Sequence, residues 1–123
     1  MPAGSEPPRP LLCVAGRLTR RPQFLLVAAR GRKASMPGLV LQALQRQDEA
    51  PVRLGFTVTK KVGNAVVRNR VRRRLREAAR LVLRDQRLAG VDLVLIGRDA
   101  TQARPFTALQ ADLRRALGRT GVL

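Results

Sequence analysis

The residues with the greatest chemical capacity gather in one stretch, Lys60 to Arg84, which reads KKVGNAVVRNRVRRRLREAARLVLR. It holds arginines at 68, 70, 72, 73, 74, 76, 80 and 84, with Lys60 and Lys61 just ahead of them. Guanidinium groups grip phosphate bidentately and stack on bases, so the chemistry is anion recognition. Bond cleavage by the chain itself lacks its usual tools. There is no histidine, which removes the commonest general base and the commonest metal ligand together. A metal-dependent nuclease needs clustered carboxylates. The eight here (Glu6, Asp48, Glu49, Glu77, Asp85, Asp92, Asp99 and Asp112) are scattered, with no metal-binding spacing. Cys13 is a lone thiol with no histidine to activate it. No catalytic and no metal-binding residue is expected.

The whole composition agrees with that bias. A formal charge of +17 on 123 residues favours a polyanionic partner, because each neutralised phosphate releases condensed counterion. Only three of the 25 basic residues are lysines (Lys33, Lys60 and Lys61). A coding bias can exchange Lys for Arg, but it does not create net charge.

The basic stretch requires a helix to display it. Gly63-Asn64 marks a turn with Asn64 placed as a cap. Val67, Val71, Leu75, Ala78 and Val82 then recur at helical steps and leave the remaining circumference to arginine. Pairs such as Arg68–Arg72 and Arg72–Arg76 repel, and Glu77 alone offers relief, through Arg73 or Arg80. Such a helix is poised for phosphate. A merely solvated charged face normally mixes signs, and a nuclear localisation signal is normally an accessible tail without an apolar stripe.

Around it the chain alternates element types. A short helix is expected from Pro22 to Arg30, with Gly31 after it. Gly38 to Leu44 reads as a strand. Arg53 to Thr59 alternates, with Leu54, Phe56 and Val58 on an apolar face and Arg53, Gly55, Thr57 and Thr59 on a polar one. Val91 to Ile96 is a third strand, and Phe106 to Leu117 a closing helix. One domain is expected over residues 17–118, between a flexible segment 1–16 and a tail 119–123. No apolar run is long enough to span a bilayer. A single cysteine allows no disulfide within the chain, which fits a reducing, cytoplasmic setting.

The stretch Phe56 to Arg80 resembles the bacterial ribonuclease P protein component. Arg68-Asn69-Arg70, followed by Val71, Arg72, Arg73 and Arg76, is similar to that family's signature helix, and Lys60-Lys61 before Gly63-Asn64-Ala65 fits its pattern. The likeness extends from about Arg17 to Leu117. It implies an α/β (α+β) two-layer sandwich, a small mixed sheet packed with helices and a left-handed βαβ crossover, as in the second domain of ribosomal protein S5. It implies a partner, the ribonuclease P RNA subunit, which removes the 5′ leader of precursor tRNA. That RNA performs the hydrolysis with Mg²⁺, and the protein binds no cofactor of its own. The resemblance puts Arg68, Asn69, Arg70, Arg72, Arg73 and Arg76 on the RNA subunit. It assigns the leader to a cleft formed by Phe24, Ala28, Gln42, Thr57, Thr59, Lys60, Lys61 and Arg98.

The sequence also departs from that pattern. Phe24, Phe56 and Phe106 are its only aromatics, and Ala28 and Gln42 occupy positions where relatives often carry rings. Phe56 and Phe106 are expected in the core, Phe24 in the core or stacked on the leader. Three other classes fit less well. A ribosomal protein would share size and charge but not the KKVGNAVVRNRVRRRLR run. A DNA-binding protein would need a helix-turn-helix, and a membrane-surface helix would need bulkier apolar residues. Neither DNA nor membrane is therefore expected as a partner.

Overall fold

A computed structural model of the protein describes residues 16–18, 20–84, 86 and 88–123. Cys13, Glu6, Asp85 and the expected flexible segment up to residue 15 lie outside them. Five strands, β1 (Gly16–Arg17), β2 (Arg32–Ser35), β3 (Leu39–Gln45), β4 (Arg53–Thr57) and β5 (Val91–Gly97), form one sheet in the order β1-β4-β5-β3-β2. β4 runs parallel to both β1 and β5, whereas β3 is antiparallel to β5 and β2. Among the described residues there are three α-helices: α1 (Arg21–Arg30), α2 (Ala65–Leu83) and α3 (Phe106–Arg119). α2 is the crossover between the parallel neighbours β4 and β5.

Strand alternation divides the molecule into two cores. Leu39, Leu41, Leu54, Leu93 and Leu95 face α2 and α3, and with Val71, Leu75, Ala78, Leu109, Leu113 and Leu117 they form the main cluster. The intervening residues point the other way. Val94 joins Leu18 and Val27 in a smaller cluster under α1, with Phe24, Leu44 and Ile96 against it. β5, in the middle of the sheet and covered on both sides, is therefore apolar at nearly every position.

Among the described residues two carboxylates are buried, and each is neutralised by arginine. Asp92 accepts from Arg46 Nη1 at 2.7 Å and from Arg53 Nε and Nη2 at 2.7 and 2.6 Å. Asp112 accepts from Arg104 Nε at 2.6 Å and from the Gly38 amide at 3.0 Å, which ties α3 to the start of β3. The Asp92 carboxylate pushes the Arg53 pKa up. Three of the basic residues are thus structural counter-ions.

Several boundaries differ from the sequence reading. β2 was not expected: its RKAS sequence lacks an apolar alternation, since only Ala34 faces the core of this edge strand. β4 ends at Thr57 rather than Thr59, because the chain turns into a 3₁₀ segment, Lys60–Val62. Gly55 and Arg53 are not on an open polar face; Gly55 is buried and Arg53 grips Asp92. The C-terminal residues are not a separate tail. Thr120 is buried with its hydroxyl hydrogen-bonded to the Ala116 carbonyl at 3.0 Å, and Val122 packs on the main core. The expected boundary at residue 16 also falls inside β1.

Candidate nucleic-acid interface

α2 begins where sequence chemistry starts it. The Asn64 side chain accepts from the Val67 amide at 3.0 Å, satisfying one of the free donors of the first turn. Gly63 before it has φ 157°, and a Cβ there would lie 2.9 Å from the Val67 side chain. The helix then buries Val71, Leu75, Ala78, Ala79, Val82 and Leu83, and that stripe dictates which arginines face water.

The outward set is Arg70, Arg73, Arg76 and Arg80, with Arg68 and Arg72 half-buried beside it. Asn69 accepts a hydrogen bond from Arg72 Nη1 at 2.9 Å, so it orients a neighbouring guanidinium. Glu77 pairs with Arg80, not Arg73, through Nε at 3.1–3.2 Å. That guanidinium holds the Glu77 carboxyl below its ordinary value. Among the described residues, Arg68, Arg70, Arg72, Arg73 and Arg76 have no carboxylate partner. Five cations without carboxylate partners, spread around the part of the helix not in the core, can attract phosphates.

Arg74 behaves otherwise. Its Nε donates to the Thr101 carbonyl at 3.0 Å, its Nη2 donates to the Arg104 carbonyl, and its guanidinium lies 5.8 Å from the centre of the Phe106 ring. It joins α2 to the start of α3, so this arginine is architectural. Phe106 is accordingly half-buried under a cation rather than fully in the core. Phe56 is likewise half-buried and packs against the main core, with the Arg76 guanidinium 5.8 Å from its ring centre.

The opposite face of the sheet holds the second set. Phe24 approaches β4 closely because Gly55 has no side chain; a Cβ there would be 2.6 Å from Phe24 Cε1. The ring is half-buried, packed against the smaller core. Ala28, one turn on, is exposed. Gln42 pairs across the sheet with Val94 on one side and Lys33 on the other, and those three share this face. Thr57 sits in the next row with Ile96, Val40 and Ser35. Thr59, Lys60 and Lys61 are exposed just past the end of β4, and Arg98 just past the end of β5.

Phe24, Gln42 and Thr57 therefore occupy one sheet face, with the basic residues around the end of the parallel strands. Arg98 is already engaged: its Nη1 donates to the Met36 carbonyl at 2.8 Å and to Ser35 Oγ at 3.1 Å. It clamps the β2–β3 hairpin to the end of β5 and leaves its remaining donors at the rim. The sequence reading missed Lys33, Val40 and Ile96 on this face. The pairing of β2 with β3 sets Lys33 there, and nothing in RKAS alone signals it.

Known proteins share this fold. The Ribonuclease P family model matches residues 14–121. The chain is 68% identical over 108 residues to the ribonuclease P protein component of Gluconacetobacter diazotrophicus, covering 88% of this chain and 93% of that protein. Its identity to the same component of Paramagnetospirillum magneticum is 50% over 111 residues, covering 87% and 84%. Among solved structures, the Staphylococcus aureus RNase P protein superposes with a TM-score of 0.74 at 25% identity, covering 88% of this chain and 97% of that chain. The Thermotoga maritima RNase P protein gives 0.69 at 28% identity, covering 84% and 96%.

Proposed function

The chain belongs to the ribonuclease P protein family, and on that premise we propose that it binds the catalytic RNA subunit through α2 and precursor tRNA through the opposite sheet face. The observation that carries this reading is the set of exposed Arg70, Arg73 and Arg76 with half-buried Arg68 and Arg72 beside them, none of which has a carboxylate partner among the described residues. Such contacts fix register on the phosphate backbone and do not read bases. Asn69 orients Arg72 within the row.

Phe24 offers one stacking surface for an unpaired leader base. Thr57 and Gln42 supply hydrogen-bonding groups beside it, and Thr59, Lys60, Lys61 and Arg98 supply charge at the rim. Ala28 adds no ring, so charge carries more of the leader affinity than stacking does.

The chemistry of leader removal then falls to the RNA and its Mg²⁺. Asp92 and Asp112 are occupied by arginines, and Asp48 and Glu77 lie in ion pairs with Arg46 and Arg80. Among the described residues, no group of three His, Cys, Asp or Glu residues is placed to hold a metal ion. No helix among the described residues is long and apolar enough to cross a membrane. The family reading, not that absence, is what supports the cytoplasm as the proposed site of action, on RNA rather than on DNA or lipid.

The test is cleavage of precursor tRNA by the cognate RNA subunit at low Mg²⁺, with and without this protein. The protein is expected to raise the rate with the RNA present and to cleave nothing without it. Cleavage by protein alone, after the stock has been cleared of RNA, would overturn the division of labour.

A further inference from the structure

Between the faces assigned to the two RNAs lies a groove of about 160 Å³ at the β1 edge of the sheet, lined by Arg17, Leu18, Gly55, Phe56, Arg72 and Arg76. β1 creates it by being short. It pairs with β4 only at Arg53 and Leu54, and the Leu18 amide closes the ladder on the Leu54 carbonyl at 2.9 Å. Beyond that point Phe56 borders the groove, with the Arg76 guanidinium over its ring. Arg17 reaches the groove from the sheet and Arg72 from the helix, where Asn69 holds it. Among the described residues, none of the three arginines has an acidic partner.

An aromatic ring beside cations on two walls matches one chemical object, a nucleotide with a base to stack and a phosphate to hold. We propose that this groove seats one unpaired nucleotide of RNA, its base against the Phe56–Arg76 pair and its phosphate between Arg17 and Arg72. The proposal rests on the RNA-binding reading above and extends it to Arg17 and Phe56. It also supplies a stacking ring outside the face where Ala28 and Gln42 provide none. The nucleotide can come from the RNA subunit or from the leader, and the two sources give different results below.

The experiment measures affinity of the full chain for the RNA subunit across a salt series, and the precursor-over-mature tRNA preference of the reconstituted complex. Arg17→Ala is expected to lower the slope of log affinity against log salt by about one unit. Phe56→Leu is expected to weaken binding about fivefold or more with the slope unchanged, since stacking releases no counterion. Loss of RNA-subunit affinity assigns the nucleotide to that RNA; loss confined to the precursor preference assigns it to the leader. Wild-type behaviour of Arg17→Ala in both measurements overturns the proposal, even if Phe56→Leu proves misfolded by circular dichroism. Failure of the broader reading looks different: the wild-type protein would show no salt-dependent binding to the RNA subunit at all.

Discussion

The ring of Phe24 rests on the backbone of Gly55, so close that a Cβ on Gly55 would lie 2.6 Å from Phe24 Cε1. One glycine thereby fixes how high the only ring of the leader face stands above the sheet. Gly55→Ala forces the ring away, and the expected cost is about 1–3 kcal/mol of stability, the usual range for overpacking. Urea denaturation measures it. A variant as stable as wild type would show that the ring has room to move.

Phe24→Ala is expected to reduce the precursor-over-mature tRNA preference of the reconstituted complex, and Ala28→Phe to raise it. One stacked base contributes about 1–3 kcal/mol, so Phe24→Ala loses roughly a fivefold preference or more. Filter binding with both tRNAs reads the ratio, with circular dichroism to check folding. An unchanged ratio in a folded Phe24→Ala variant would place the leader elsewhere.

Arg74 and Arg70 are both arginines of α2, and their fates should separate. Arg74→Ala removes donors to the Thr101 and Arg104 carbonyls and the cation over Phe106. It is expected to destabilise the fold by about 1–3 kcal/mol while leaving the salt slope of RNA binding intact. Arg70→Ala is expected to do the reverse. Thermal melts and salt-dependent affinities on the two variants settle the pair, and an identical pattern in both would contradict the assignment.

The Glu77–Arg80 pair gives a pH signature. Arg80 holds the Glu77 carboxyl below its ordinary value of 4.5. Because the folded value lies below the unfolded one, the stabilisation is present above the unfolded value and is lost as pH falls through the folded one. The Tm gap between wild type and Glu77→Gln is therefore expected to close as pH drops from neutral to strongly acidic. It should also shrink in high salt, since both side chains are exposed. A gap independent of pH would mean the pair contributes nothing.

Much of this architecture is readable from spacing. The apolar step in α2 announces both the helix and its buried stripe, and Asn64 announces its start. Alternation in Arg53–Thr57 gives the strand, but not that Gly55 would be covered, because that depends on a ring 31 positions earlier in the chain. β2 escaped notice because an edge strand needs only one buried residue, Ala34, to be held in place. The inward turn of Arg74 was equally silent: its partners are backbone carbonyls, which carry no sequence signature. Family likeness suggested the two faces proposed to meet RNA; only the three-dimensional arrangement shows which arginines of α2 hold the fold and which have no protein partner.

The central claim is that the outward arginines of α2 neutralise phosphates of the RNA subunit. The most direct measurement is the affinity for that RNA against salt concentration, for the wild type and for Arg68→Ala combined with Arg70→Ala. Each lost phosphate contact lowers the slope by roughly one unit, so the double variant is expected to flatten it by about two units and to bind more weakly at every salt concentration. A double variant with the wild-type slope and affinity would contradict the claim, because those two side chains would then face only solvent.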